Sequence, residues 1–140
     1  MSENTSASPP SRGTVETWPR NLLRIEGLCL FASSVWAYSQ TGLSWWTFAG
    51  GILLPDLGMV GYIRNSTLGA ALYNTVHTES LPVLLLCTGY ARGRRDVLGA
   101  ALIWLAHINM DRMFGFGLKY GTAFGHTHLG WIGKTETGAE

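Results

Sequence analysis

Histidines and carboxylates stand inside stretches that are otherwise apolar: Glu26, Asp56, His77, His107 and Asp111, with Asn74, Glu79 and Arg112 among them. A charged group in such surroundings costs several kcal/mol unless it has a partner, a wet cavity or a chemical task. Burial raises the pKa of a carboxyl and lowers that of an imidazole, which brings both toward the working range of a proton donor or acceptor. The chemistry these residue types suit is acid–base. His77 and His107 are the candidate acid and base, Asp56 and Glu26 their partner carboxylates, and Asp111 either orients His107 or pairs with Arg112. Tyr73, Asn74, Trp104, Arg112, Lys119 and His128 are the candidates for holding a substrate.

The same donors admit a second chemistry. Imidazole and carboxylate together suit zinc or iron, with His77, His107 and Asp111 as ligands and Asp56 and His128 in reserve. A haem held between His77 and His107 is a branch of that idea. No two histidines lie three or four residues apart on one helix, so acid–base chemistry without a cofactor is the expectation and a divalent metal the alternative. Cys29 and Cys87 have no metal-like spacing and read as structural thiols.

Helical spacing groups several of these side chains. His107 and Asp111 are four apart and share a face with Trp104, while Tyr73, Asn74 and His77 share another. Four apolar segments carry them, over residues 21–38, 44–63, 67–90 and 97–114, with short connections between. Each is close to the roughly 20 residues that span a hydrocarbon core. None alternates with period two, so strands are a poor alternative. The fold class expected is all-α: a four-helix transmembrane bundle over 21–114, after a disordered polar tail over 1–20 and before a Gly-rich segment and tail over 115–140. The polar tail has no signal-peptide pattern, because the first apolar run starts only near Leu22.

Pro55 and Pro82 fall inside the second and third segments, which membrane helices tolerate. Antiparallel packing then sets depth. Glu26, Asp56 and Asp111 lie toward the membrane face that carries the termini, and His77 and His107, about ten residues into their helices, lie near the midplane. A polar funnel results. The glycines from Gly115 to Gly133 preclude a helix there and leave a loop that can fold back over the funnel, bringing His128 and Lys119.

Composition narrows the class. Only 14% of residues are charged against 46% hydrophobic, and a net charge of +1 gives no basic face for nucleic acid. Cations favour cytoplasmic termini: Arg12, Arg20, Arg24, Arg64, Arg112, Lys119 and Lys134 on one side, Arg92, Arg94 and Arg95 on the other. A lipophilic small molecule and membrane lipid are the expected partners, and a second copy of the chain could complete so small a cavity.

Several ordered motifs are familiar: Pro55-Asp56 with Met59 and Gly61-Tyr62, Tyr73-Asn74 with His77, Trp104-Leu105-Ala106-His107, Asp111-Arg112, Gly117-Leu118-Lys119-Tyr120, and Thr127-His128-Leu129-Gly130. Together they resemble the small membrane proteins grouped as the domain of unknown function 4260 family, over roughly residues 22–133. The resemblance implies a four-helix membrane architecture and no particular activity. It directs attention to Glu26, Asp56, Asn74, His77, His107, Asp111, Arg112, Lys119 and His128. The polar N-terminal tail and Gly125-His126 depart from the pattern. An enzyme working by acid–base isomerisation, cyclisation or hydrolysis on a lipophilic substrate is the functional expectation, beside a metal protein and a non-enzymatic scaffold whose polar groups join helices.

Overall fold

A computed structural model describes residues 17–132, so most of the expected polar tail and residues 133–140 lie outside the described residues. The first helix begins before the expected boundary: α1 runs Thr17–Gln40. Pro19 does not oppose this, since a first-turn residue has no intrahelical N–H bond to lose. Then come α2 (Trp45–Gly51), a 3₁₀ segment (Leu54–Ile63), α3 (Ser66–His77), α4 (Ser80–Ala91) and α5 (Arg95–Phe114). A two-stranded hairpin, β1 (His126–Thr127) and β2 (Gly130–Trp131), is the last element of the described residues.

The described chain is helical in all its segments from Thr17 to Phe114, but two of the four expected helices are not continuous. The segment over 44–63 is α2 followed by the 3₁₀ stretch, and the segment over 67–90 breaks at Thr78, whose backbone is extended with ψ 141°. Proline explains both breaks. Pro55 opens the 3₁₀ stretch and Pro82 sits in the first turn of α4, positions where the missing N–H costs nothing. Side chains cap the starts of the two segments, where Ser44 Oγ accepts from Trp46 N–H at 3.2 Å and Asn65 Oδ1 accepts from Leu68 N–H at 2.8 Å, while Leu53 and Glu79, at the breaks, make no side-chain cap.

A 3₁₀ helix has three residues per turn, so positions three apart eclipse and the segment presents three flat faces. Leu54, Leu57, Val60 and Ile63 form one, and all four are exposed. Gly58 and Gly61 lie on the second, against α3. A Cβ at Gly61 would stand 2.9 Å from the Leu68 carbonyl oxygen and 3.0 Å from Gly69 Cα, so only glycine allows that approach. Asp56, Met59 and Tyr62 share the third face. The 3₁₀ segment and α3 thus form an antiparallel pair with Asp56 facing the C-terminal end of α3.

Helix α5 is the centre of the bundle, packed antiparallel to α1 on one side and to α4 on another. Its N-terminal half carries the apolar core of Tyr38, Leu102 and Ile103, against which Leu43, Phe48 and Leu86 pack. Its C-terminal half carries the polar residues. Gly115 ends it in the left-handed region at φ +91°, and Phe116 N–H returns to the Asp111 carbonyl at 2.8 Å. Residues 116–132 then fold back across this end of the bundle, as the glycine content predicts.

No helix among the described residues is both long and apolar enough to cross a membrane. Large apolar side chains are nevertheless exposed on the outside of every helix, among them Ile25, Leu28, Trp46, Leu57, Leu72 and Leu84.

Candidate functional site

Three segments deliver four side chains to one point. Asp56 comes from the first turn of the 3₁₀ stretch, His77 is the last residue of α3, and His107 and Asp111 lie one turn apart on α5. One ligand atom from each lies within 4.8 Å of the other three. His77 Nε2 is 3.0 Å from His107 Nε2. His77 Nε2 lies 3.7 Å from Asp56 Oδ1 and 3.5 Å from Asp111 Oδ2, and His107 Nε2 lies 3.5 Å and 3.7 Å from the same two oxygens. Ligand atoms about 2.0–2.2 Å from an ion at the centre of a tetrahedron stand roughly 3.3–3.6 Å apart. The four imidazole–carboxylate edges, at 3.5–3.7 Å, come close to those dimensions, the two imidazole nitrogens are nearer at 3.0 Å, and all four atoms lie within 4.8 Å, so the residues fit a divalent ion after a small adjustment.

Their supports fit it as well. His77 Nδ1–H donates to the Tyr73 carbonyl at 2.9 Å, which leaves the Nε2 lone pair facing the cluster. The Tyr73 ring stacks on the same imidazole with centroids 3.6 Å apart, and its hydroxyl donates to Asp111 Oδ2 at 3.0 Å. Tyr73 therefore positions two of the four donors. Both histidines are buried, Asp111 is 16% exposed and Asp56 32%, so the centre opens on the Asp56 side. His107 Nδ1 is buried with no hydrogen-bond partner among the described residues.

Trp104 donates its indole N–H to the Val76 carbonyl at 2.6 Å, a group that the end of α3 leaves free. Asn74 grips the returning C-terminal loop: its Nδ2–H donates to the Lys119 carbonyl at 2.8 Å and its Oδ1 accepts Lys119 N–H at 2.7 Å. Lys119 is only 6% exposed. Its Nζ lies over the rings of Phe124, Tyr73 and Tyr62, at 3.4, 4.5 and 5.4 Å from their centroids. Burial pushes this ammonium below its ordinary pKa, and the carboxylates of Asp111 and Asp56 oppose the shift. His128 Nδ1 accepts Leu118 N–H at 2.9 Å and holds the loop rather than the centre. Burial lowers its pKa, with the charge of Arg112 acting in the same sense.

Several residues therefore stand elsewhere than the sequence places them. Glu26 is exposed on α1 and takes no part in the four-atom cluster, because the break after α3 sets the centre by α3, α5 and the 3₁₀ segment alone. The funnel, with carboxylates at one depth and imidazoles at another, is replaced by a single level, since Asp56 and Asp111 reach both imidazoles. Arg112 pairs with Glu79 at 3.7 Å, not with Asp111. A haem has no slot between His77 and His107, whose facing nitrogens are 3.0 Å apart with two carboxylates around them. The cage residues Tyr62 and Phe124 escape sequence reasoning, although the three-residue phase from Asp56 through Met59 points to Tyr62.

Beside the centre lies an apolar cleft of about 670 Å³, whose lining includes Pro55, Val76 and Trp104. The profile of the family described as "Domain of unknown function (DUF4260)" matches residues 20–132, and the chain belongs to that family. No curated protein and no solved structure matches it.

Proposed function

We propose that this member of the DUF4260 family is a small membrane-embedded enzyme in which Asp56, His77, His107 and Asp111 hold one divalent metal ion and act by acid–base chemistry, hydrolysis or isomerisation, on a lipophilic substrate. The observation that carries the reading is the convergence of four ligand atoms from three segments within 4.8 Å of one another.

Charge supports a metal over a bare acid–base site. Two ionised carboxylates and two neutral imidazoles carry two negative charges at one point, and an uncompensated buried charge is costly. A divalent ion bound among the four donors would offset both. When bound, it supplies Lewis-acid polarisation of a substrate oxygen and acidification of water. The protein's own groups do the rest: Tyr73 fixes His77 and Asp111, Lys119 places a cation beyond the carboxylates, and the apolar cleft excludes water from one side.

Membrane embedding is supported by the inverted distribution of side chains. Large apolar groups are exposed on the helices while Asp56, His77, His107 and Asp111 gather inside; Arg24 and Glu26 on α1 are exposed exceptions. Helices α1 and α5, of 24 and 20 residues, are about 36 and 30 Å long, enough for a hydrocarbon core of about 30 Å. The mean hydropathy of α5 is diluted by His107, Asn109 and Asp111, which face the bundle interior, whereas that of α1 is lowered by Asn21, Arg24 and Glu26, which are exposed. The cation distribution favours cytoplasmic termini.

One contact favours a second reading. With His77 Nδ1–H committed to Tyr73, a proton on His107 Nε2 would make the 3.0 Å contact a hydrogen bond, and the pair would be a metal-free proton relay. Elemental analysis of detergent-purified protein, supplied in turn with zinc, manganese, cobalt and ferrous iron, separates the two. About one equivalent per chain is expected, lost in His107→Ala and Asp111→Asn. Wild type that retains no metal from any of the four refutes the metal centre. Resistance to alkaline carbonate extraction is expected of the embedded protein, and full release into the supernatant would refute the membrane assignment.

A further inference from the structure

The apolar cleft is built as an extension of the centre. Ala100, Ile103 and Trp104 line it from one face of α5, and continuing that face by one turn reaches His107. Pro55 and Val76 line the opposite side, and each immediately precedes a centre residue, Asp56 and His77. Leu85 of α4 closes it laterally. Its polar lining residues other than Trp104 are Thr47 and Asp96, and Asp96 lies at the start of α5, far from the centre. The indole N–H of Trp104 is taken by the Val76 carbonyl, so this ring shows the cleft its apolar surface.

We infer that the cleft holds the hydrocarbon chain of an amphiphilic substrate whose oxygen-bearing head group lies at the Asp56–His77–His107–Asp111 centre, an assignment that rests on the metal reading above. The wall chemistry selects the occupant. Nothing beside the centre end of the cleft offers a hydrogen bond, so a polar or branched-polar substrate would lose its hydration there with no replacement. An aliphatic chain loses nothing. Its one polar end has a place where donors converge, and α5 supplies the ruler: seven residues separate Ala100 from His107, about 10 Å of helix. The side chain at position 100 therefore sets how long a chain is accepted. Ala100 is exposed to the cleft and free to grow, in contrast to the neighbouring Gly99, where a Cβ would collide with Leu43.

The test uses cobalt-loaded protein and a series of straight-chain hydroxamates, from acetohydroxamate to dodecanohydroxamate, read by the visible cobalt bands. Affinities are compared between wild type and Ala100→Phe at each length, so that partition into detergent cancels. The ratio is expected to be near one for acetohydroxamate and to rise to about tenfold or more for the longest chains, since each excluded methylene is worth roughly fourfold. Leu85→Phe, from the lateral wall, is expected to reproduce the trend. A ratio that stays flat with chain length in both variants overturns the cleft assignment while leaving the metal centre standing. Wild type that takes up no cobalt overturns the metal reading and the cleft assignment with it.

Discussion

Removing the Asn74 amide tests how the C-terminal loop is held to the centre. Asn74 makes two reciprocal hydrogen bonds to the backbone of Lys119, at 2.7 and 2.8 Å, in the manner of one rung of a sheet. Truncation to alanine leaves both backbone groups of a residue that is 6% exposed without their partner. Each neutral bond contributes about 1 kcal/mol net, and more where the orphaned group stays dry, so the pair contributes roughly 2–4 kcal/mol. The loop is internally bonded, by Tyr120 N–H to the His126 carbonyl and His128 N–H to the Leu118 carbonyl, and should open as one unit. Opening that is 2 kcal/mol easier accelerates exchange about 30-fold. Amide hydrogen exchange read by mass spectrometry should therefore show residues 117–129 accelerated by about that factor in Asn74→Ala, with α1 and α4 unchanged. Asn74→Asp keeps the acceptor for Lys119 N–H and loses the donor, so it should fall between the two. A change of less than about threefold in Asn74→Ala would refute the clamp and leave the aromatic cage around Lys119 as what holds the loop.

Three further predictions concern the centre and its scaffold. Tyr73→Phe keeps the stacked ring and removes only the hydroxyl on Asp111, so metal affinity should fall about 10–100-fold without loss of fold, measured by competition with a chromophoric chelator. Unchanged affinity would mean the hydroxyl does not position Asp111. Acidification should release the metal, because two imidazoles must be neutral to bind it. The logarithm of the affinity should fall as the pH is lowered, with a slope approaching two per pH unit where protons compete for both imidazoles, and a slope near zero down to the pH of unfolding would exclude histidine ligation. Gly61→Ala forces a Cβ against backbone atoms of Leu68 and Gly69, so it should destabilise by about 1–3 kcal/mol and weaken metal binding by displacing Asp56. Gly50→Ala, with open space around its Cβ, is the control and should do neither.

The α5 half of the centre is legible in the sequence because it depends on one continuous helix: a spacing of four from His107 to Asp111 puts both on one face, whatever else the chain does. The same holds for Tyr73 and His77 on α3. What could not be read is how the segments end. A hydropathy run gives length and apolarity but not continuity, and Pro55 and Pro82 lie within runs that a membrane helix could have kept intact. Once the run over 44–63 divides, its second part repeats every three residues, and Asp56 shares a face with Tyr62 instead of with residues four apart. Depth along an unbroken helix therefore misplaced Asp56 relative to His77, and brought in Glu26 through a topology that the 3₁₀ segment does not follow. The return of the C-terminal loop was legible from its glycines; that it is fixed through the Lys119 backbone by a side-chain amide was not, because an asparagine leaves no trace of its partner in the sequence.

The breaks and the centre require each other. If α3 continued through Thr78, the Val76 carbonyl would accept the N–H of Ser80, four residues on, and the Trp104 indole would lose the acceptor it has at 2.6 Å. Ending the helix at His77 frees that carbonyl for Trp104, and Trp104 is bound to the rotation of α5 that also sets His107 and Asp111. The indole bond thus locks α3 and α5 in the one register where the two Nε2 atoms meet. Asp56 depends on its own break in the same way, since a segment opened by Pro55 and flattened by Gly58 and Gly61 can lie close enough to α3 to bring a short carboxylate side chain to His77. A chain of four uninterrupted apolar helices would cross a bilayer more easily, but its polar side chains would be spread along the helices. Interrupting two of them gathers four donor atoms within 4.8 Å.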